Sequence, residues 1–463
     1  MQTTFPLRRE HAFLFAAVLA VGALAGLAGL KVSLLVVALG ALVVAVFLSP
    51  TQLFLIWLFI TPITETWIIS LGANVPDISV DRILFLLLAA RLGVKTISSR
   101  FRGFKLELED VLIVIFLAWA LISILLWRSV DLTGQFLALF QQFIYPVGFY
   151  WIVQQVAGRE ADLKKIFRIA SVLLFVLCVP AVVEEFTGVT LLGERSQVYE
   201  GVTRVRSFLH ASWEFGAIAA MLLMYNLHAL TYPGGQRARM VSWLGAALGI
   251  LGVVFCFMRG AWVAAFVALS FFFFMDKNLR QYLYLAMPFM AVAGLLWVPS
   301  LITSAVWTGR VQDVVTIIAR VEISSQQISS FLQEPILGNG LMPTFATYNL
   351  GIISHNTMLS MLVDFGLFSL LYFGAIGIIL FKGISAYKTF PPRSFLGRGL
   401  LVSLGSVALA FLVNALTFEN RIFSFVSALF WVALVLIKAA IRINEERRAK
   451  ALPMAPAANG GNV

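Results

Sequence analysis

The sequence predicts an all-α fold, a polytopic transmembrane helical bundle of about 12–14 spans with a large outer loop that carries surface helices. Three observations predict it. Hydrophobic residues make up 60% of the 463 and charged residues only 12%, against roughly 25% charged residues in soluble domains, and mean hydropathy is +0.92. Apolar runs such as 13–30, 111–127, 241–257 and 357–381 approach or exceed the roughly 17–25 residues that cross a bilayer as a helix. These runs are apolar on every side, without the two-residue alternation of a membrane β-barrel.

From the amino terminus, Arg8 and Arg9 precede the first run. It continues without a small-residue cleavage site and is therefore expected to stay as a membrane anchor rather than to leave as a signal peptide. With the amino terminus in the cytoplasm and a change of side at each run, the basic stretches at 95–105, 159–168, 237–239, 277–280, 382–398 and 442–450 all fall inside. This is the positive-inside pattern, and it accounts for the net charge of +11 without nucleic acid as a partner. An even number of spans returns the carboxyl terminus to the cytoplasm. Residues 1–452 then form one membrane domain, and the Ala-, Pro- and Gly-rich residues 453–463 a disordered cytoplasmic tail. Two outer loops are long, 187–212 and 299–354. In the second, residues 311–332 mix apolar and polar types at helical spacing until Glu334-Pro335 and Gly338-Asn339-Gly340 break the pattern. This predicts one or two helices across the membrane surface. Cys178 and Cys256 lie inside apolar runs and read as small packing residues.

The chain has no nucleotide-binding glycine loop, dinucleotide fingerprint, zinc-protease motif or cysteine pair at metal spacing, so no cofactor and no metal are expected. Ionisable groups near the spans are few: Glu65, Asp110, Glu184, Glu185, Glu214 and Asp364. Their places near span ends predict that water satisfies most of them. The outer cations are nearly all arginine, among them Arg204, Arg206, Arg259, Arg320 and Arg421. Arginine kept against the topological bias suits a bidentate grip on phosphate or carboxylate, the alternative being interfacial snorkelling. Of the four histidines, His210 and His355 fall at outer boundaries. His355 opens a span after a Gly-containing loop, where an imidazole can exchange a proton with an aqueous cavity near neutral pH. Outer arginines and an outer histidine above a lipid-facing bundle point to chemistry on a pyrophosphate whose hydrocarbon tail stays in the membrane.

One series of motifs runs through this region: Arg320-Val321-Glu322-Ile323, then Glu334-Pro335-Ile336-Leu337-Gly338-Asn339-Gly340-Leu341, then His355-Asn356-Thr357, then Asp364-Phe365-Gly366-Leu367. In order and spacing it resembles the bacterial O-antigen ligase and polymerase superfamily. Arg259-Gly260-Ala261-Trp262 resembles the family's motif at the outer tip of a helix pair, with Met258 where the family usually has Ser. Arg204-Val205-Arg206, ahead of Trp213-Glu214-Phe215-Gly216, is a weaker match that leaves Arg204 and Arg206 as alternatives. Together the matches cover roughly residues 200–370. The resemblance implies a metal-independent, inverting glycosyltransferase at the periplasmic face of the bacterial inner membrane, so that the large outer loop is periplasmic. The donor it implies is an undecaprenyl-diphosphate-linked glycan. It further implies that His355 is the base-like catalytic residue, that Arg259 and one of Arg204 or Arg206 grip the pyrophosphate, and that Arg320 is a further contact. Asn356 and His210 are supporting candidates, with Asn356 read first as an amide that fixes the loop backbone. Asp364 reads as a polar packing contact to a neighbouring span.

Within the family a ligase transfers the glycan to lipid A-core, a polymerase to another lipid-linked repeat, and a protein O-oligosaccharyltransferase to a protein hydroxyl. The donor half-site is common to all three. A lipid-linked glycan flippase or transporter is the reading from a different class, and the broken spans repeated in two halves that it would show are not found in the sequence.

Overall fold

The computed structural model describes residues 48–65, 67–69, 78–98, 106–126, 132–189, 197–199, 202–276, 279–281, 284, 314–341 and 356–451. Their architecture is helical apart from two short antiparallel ribbons. Helix α1 (Pro50–Thr64) starts from a capping box in which the Ser49 side chain accepts from the Gln52 backbone and Gln52 reaches back to Ser49, which satisfies two otherwise orphaned donors. The pair β1 (Ile68–Ile69) and β2 (Ile78–Ser79) leads into α2 (Val80–Ser98). Next come α3 (Leu108–Leu126) and α4 (Leu132–Val156), the latter widening into a π-turn over Phe140–Ile144 just before Tyr145-Pro146. Proline has no N–H to keep the regular ladder, and the wider turn absorbs the loss. Helix α5 (Glu160–Thr187) precedes the ribbon β3 (Gln197–Tyr199) and β4 (Val202–Arg204), and α6 (Ser212–Leu227), α7 (Gln236–Phe255) and α8 (Arg259–Met275) follow. The remainder is α9 (Val314–Gln333), α10 (Thr357–Phe365), α11 (Ser369–Ala386), α12 (Arg398–Ala415) and α13 (Ser424–Ala451).

Seven helical stretches among the described residues are long and apolar enough to cross a membrane, and α1 and α8 are shorter apolar helices. The chain is a multi-pass helical membrane protein. The first expected anchor, the carboxyl-terminal tail and much of the 299–354 loop lie outside the described residues.

Helix α6 is the centre of one half of the bundle, packed on α5, α7, α8 and α12, with every residue of Ser212–Leu227 except Trp213 buried. Its small residues, including Gly216, Ala217, Ala219 and Ala220, let neighbours approach closely, as helix pairs in lipid require. Several polar side chains inside the bundle bond to a neighbouring helix, because hydrocarbon offers no partner. Asn226 Nδ2 donates to Ser242 O at 2.7 Å and Ser242 Oγ returns a bond to Asn226 O at 2.7 Å, joining α6 to α7. Ser403 Oγ donates to Met224 O at 2.7 Å, joining α12 to α6. Helix α13 centres the other half, against α4, α11 and α12.

Because successive spans alternate in direction, the two ends of the bundle differ in chemistry. One end carries Lys382, Lys388, Arg393, Arg398, Lys438 and Arg442, beside the start of α3 and α5. There Lys382 Nζ donates to Glu109 Oε1 at 2.8 Å, Lys438 Nζ lies 2.9 Å from the same oxygen, and Tyr150 Oη donates to Asp110 Oδ1 at 2.7 Å. Lys382 also pairs with Glu107. These bonds tie α3, α4, α11 and α13 together. The opposite end holds the start of α6, α8, α10 and α13 and the end of α1, α5, α7 and α12.

Candidate functional site

At that second end, residues 416–423 link α12 to α13 and form a floor on which other segments rest. Asn420 stiffens the floor: its Oδ1 accepts from Asn414 Nδ2 at 2.9 Å, its Nδ2 donates to Phe411 O at 3.3 Å, and its carbonyl accepts from Ser427 Oγ at 3.1 Å. The first turn of α8 presses on it. A Cβ at Gly260 would stand 2.3 Å from Thr417 Oγ1 and 3.2 Å from Asn414 Oδ1, so the glycine of Arg-Gly-Ala-Trp permits the approach that sets Arg259 beside this loop. Trp262 Nε1 donates to Val253 O at 2.8 Å and fastens the same turn to the end of α7.

The start of α10 meets the floor from another side. Thr357 Oγ1 donates to Phe418 O and accepts from Asn420 N, both at 2.8 Å. Asn356 caps the helix, its Oδ1 accepting from Leu359 N at 3.0 Å, the backbone-fixing role read from the sequence. His355, the residue before it, lies outside the described residues.

The Arg204-Val205-Arg206 segment runs along the α7–α8 turn. Val205 N donates to Phe255 O at 3.3 Å, and Arg204 Nη1 lies 3.9 Å from the sulfur of Met258, the residue before Arg259. Arg204 is therefore directed toward the Arg259 turn, whereas Arg206 Nη1 donates to the backbone oxygen of exposed His210 at 3.2 Å. Both arginines are buried. Trp213, in the first turn of α6, packs its ring against Phe418 on the floor, with centroids 5.4 Å apart. Arg204, Arg206, His210, Arg259 and Asn356 thus gather at one end of the bundle.

Helix α9 lies lengthwise on α10, with Gln327 Nε2 donating to Ser360 Oγ at 3.2 Å. The two helices run in the same direction, so Arg320, seven residues before Gln327, projects toward the same end by about 10 Å of helix rise. The turn after α9 closes as a backbone clasp: Asn339 N donates to Val363 O at 2.8 Å, Gly340 N to Asp364 O at 3.0 Å and Leu367 N to Pro335 O at 2.9 Å. Gly338 and Gly366 have φ of 76° and 58°, and a Cβ on either would fall within 2.5 Å of the opposing backbone. Only glycine fits both the left-handed angle and the contact.

Two clusters were not anticipated as such. Arg421 is buried and bonds Asp364 Oδ2 at 2.7 Å and Glu419 Oε1 at 2.8 Å. Burial works against its charge, but the two carboxylates outweigh burial and raise its pKa. The contact expected of Asp364 is therefore to the α12–α13 loop rather than to a span. Half-buried Glu65, at the end of α1, faces fully buried Glu214 of α6 and accepts from the His210 backbone N–H. Burial raises the Glu65 pKa, with the contacts to Glu214 and His210 opposing in part.

The expectation that water satisfies the span-end carboxyls is overturned at Asp110, Glu184, Glu214 and Asp364, which are 1%, 5%, 0% and 7% exposed. Residues 202–211 and 416–423 cover one end, and the lysines and Tyr150 cover the other, so these carboxyls meet protein groups instead of water. Hydropathy locates a span end but does not reveal what lies over it.

Among the described residues no group of three or more His, Cys, Asp or Glu has the arrangement of a metal site. No protein-family model matches the chain, and no curated protein matches it.

Proposed function

We propose that the chain is an O-antigen ligase-type glycosyltransferase that moves a glycan from undecaprenyl diphosphate to a hydroxyl of lipid A-core at the periplasmic face of the bacterial inner membrane. The observation that carries the reading is the convergence of Arg204, Arg206, Arg259 and the amino end of α10 on the loop 416–423. Basic residues crowd the opposite end, as they do on the cytoplasmic side of membrane proteins. Arginine forks match the paired oxygens of a pyrophosphate, and a bundle open to lipid leaves the polyprenyl tail in the membrane.

In the proposed reaction the acceptor hydroxyl attacks the anomeric carbon of the donor sugar from the face opposite the phosphate. The C–O bond to undecaprenyl diphosphate breaks with inversion, and the electron pair leaves on the pyrophosphate. Arg259 and Arg204 stabilise that developing charge, the kind of preorganised electrostatic assistance that enzymes use most heavily. His355 takes the hydroxyl proton. Arg206, held by the His210 carbonyl, and Arg320, on α9, complete a cationic rim. No metal enters the scheme.

The test incubates purified protein with undecaprenyl-diphosphate-linked oligosaccharide, with and without lipid A-core, and follows product by gel mobility. Product only with lipid A-core supports the ligase. A ladder from donor alone would replace it with a polymerase, and an inert protein in both tubes would shift the reading to a protein acceptor or to a transporter.

A further inference from the structure

A cavity of about 590 Å³ lies between α8, α11 and α12, away from the arginine end. Its floor follows one face of α12 from Leu401 through Gly405 and Leu409 to Leu412, with Ile437 of α13 behind. Phe271 and Met275 of α8 form one wall, and Leu380 and Ile384 of α11 the other. Leu401 to Leu412 spans about 16 Å of helix rise, close to the ~15 Å hydrocarbon depth of a single leaflet. The depth owes much to Gly405, where a Cβ would meet only Phe271, at 3.6 Å, and a larger side chain would fill the groove. Ile384, Phe381 and Phe274 are exposed apolar residues around the mouth, so the groove opens sideways toward lipid.

The groove has polarity at one end only. Tyr387 and Lys388 border it where α11 terminates, at the same end of the bundle as Lys382 and Lys438. Tyr387 Oη donates to Met275 O at 3.3 Å and the Arg398 guanidinium lies 5.5 Å from the Tyr387 ring centre. Lys388 is exposed, its carbonyl accepting from Arg398 at 3.4 Å, and among the described residues no carboxylate pairs with its ammonium. An apolar slot one leaflet deep, ending in cations at the headgroup level, is complementary to a single anionic lipid.

We propose that this groove holds one acyl chain of an anionic glycerophospholipid from the leaflet at the lysine-rich end, with Lys388 on its phosphate. The chain lies along Leu401, Gly405 and Leu409, and the second chain remains in the bilayer against Ile384 and Phe381. The lipid fills what is otherwise a gap between α8 and α11 and seals that flank of α12.

The experiment places the full-length protein in nanodiscs of equal phosphatidylglycerol and phosphatidylcholine, transfers it to mild detergent and counts retained lipids by native mass spectrometry. A phosphatidylglycerol with a photoreactive group in mid-chain is cross-linked in parallel on the wild type. The expected result is one retained phosphatidylglycerol and cross-links on the Leu401–Leu412 face. Gly405→Leu should abolish retention, and Lys388→Gln should lower the preference over phosphatidylcholine about fivefold. Retention unchanged in Gly405→Leu, equal retention of both lipids by the wild type, or displacement by undecaprenyl phosphate would each overturn the proposal. So would cross-links confined to Phe381 and Ile384, a result that needs no variant to fold.

Discussion

The chemistry of single residues divides the arginines by what holds them. Arg204 and Arg259 are brought together through Met258, while Arg206 is committed to the His210 carbonyl at 3.2 Å. Arg259→Ala should therefore cut transfer by about 10²–10³-fold, the usual loss when one donor to a developing anion is removed, with purified-protein turnover as the measure. Arg204→Ala should cost more than Arg206→Ala in the same assay, because Arg204 is directed at the Arg259 turn. Arg421 acts differently. Arg421→Leu strands Asp364 and Glu419 in a buried place, and should cost about 3 kcal/mol of stability, seen as a lower thermal midpoint in detergent. The Glu65 carboxyl, with its pKa raised in the fold, favours the folded state in its protonated form. That contribution is complete below the ordinary Glu value near 4.5 and is lost as pH rises through the higher folded value. Glu65→Gln should thus flatten the fall in thermal midpoint on the alkaline side, and an unchanged profile would remove Glu65 as its source. The sequence disclosed the arginines, through their residue type and side, but not Glu65 facing Glu214 across more than a hundred residues, since no local pattern encodes that pairing.

At the scale of elements, the clasp between the α9 turn and the end of α10 explains why two glycine-containing motifs far apart in sequence belong together. The sequence showed each as a helix breaker. It did not show that Gly338 and Gly366 touch backbone to backbone and so fix α9 lengthwise on α10. Gly338→Ala combines a left-handed φ with a Cβ placed 2.5 Å from the Asp364 carbonyl and should destabilise by about 2 kcal/mol or more. Proteolysis within α9 should then accelerate while the remaining helices keep their protection. Helix lengths and breaks were legible because the break residues, Pro335 and the glycines, act locally. How the elements pair was not, because polar pairs such as Gln327 with Ser360 and Thr357 with the 416–423 loop are decided by the packed structure.

For the whole molecule, composition predicted a membrane protein, since 60% of the chain is hydrophobic and 12% charged, and long runs without two-residue alternation predicted helices rather than a barrel. In the packed helices Arg204, Arg206 and Arg259 share one end, and Lys382, Lys388 and Lys438 the other. Both cysteines are buried and unpaired, which leaves a quiet background for accessibility labelling. His210→Cys should react with an impermeant maleimide in intact cells, and Gln236→Cys only after permeabilisation; the reverse pattern would invert the topology. The central claim is that the arginine end grips a pyrophosphate. Its most direct test measures binding of undecaprenyl diphosphate and undecaprenyl monophosphate to the wild type and to Arg204→Ala and Arg259→Ala. The account requires the diphosphate to bind the wild type more tightly than the monophosphate. It also requires each substitution to weaken diphosphate binding by about 10–100-fold, the worth of one charged hydrogen-bonding group. Equal binding of the two lipids, or diphosphate affinity untouched by both substitutions, would contradict it.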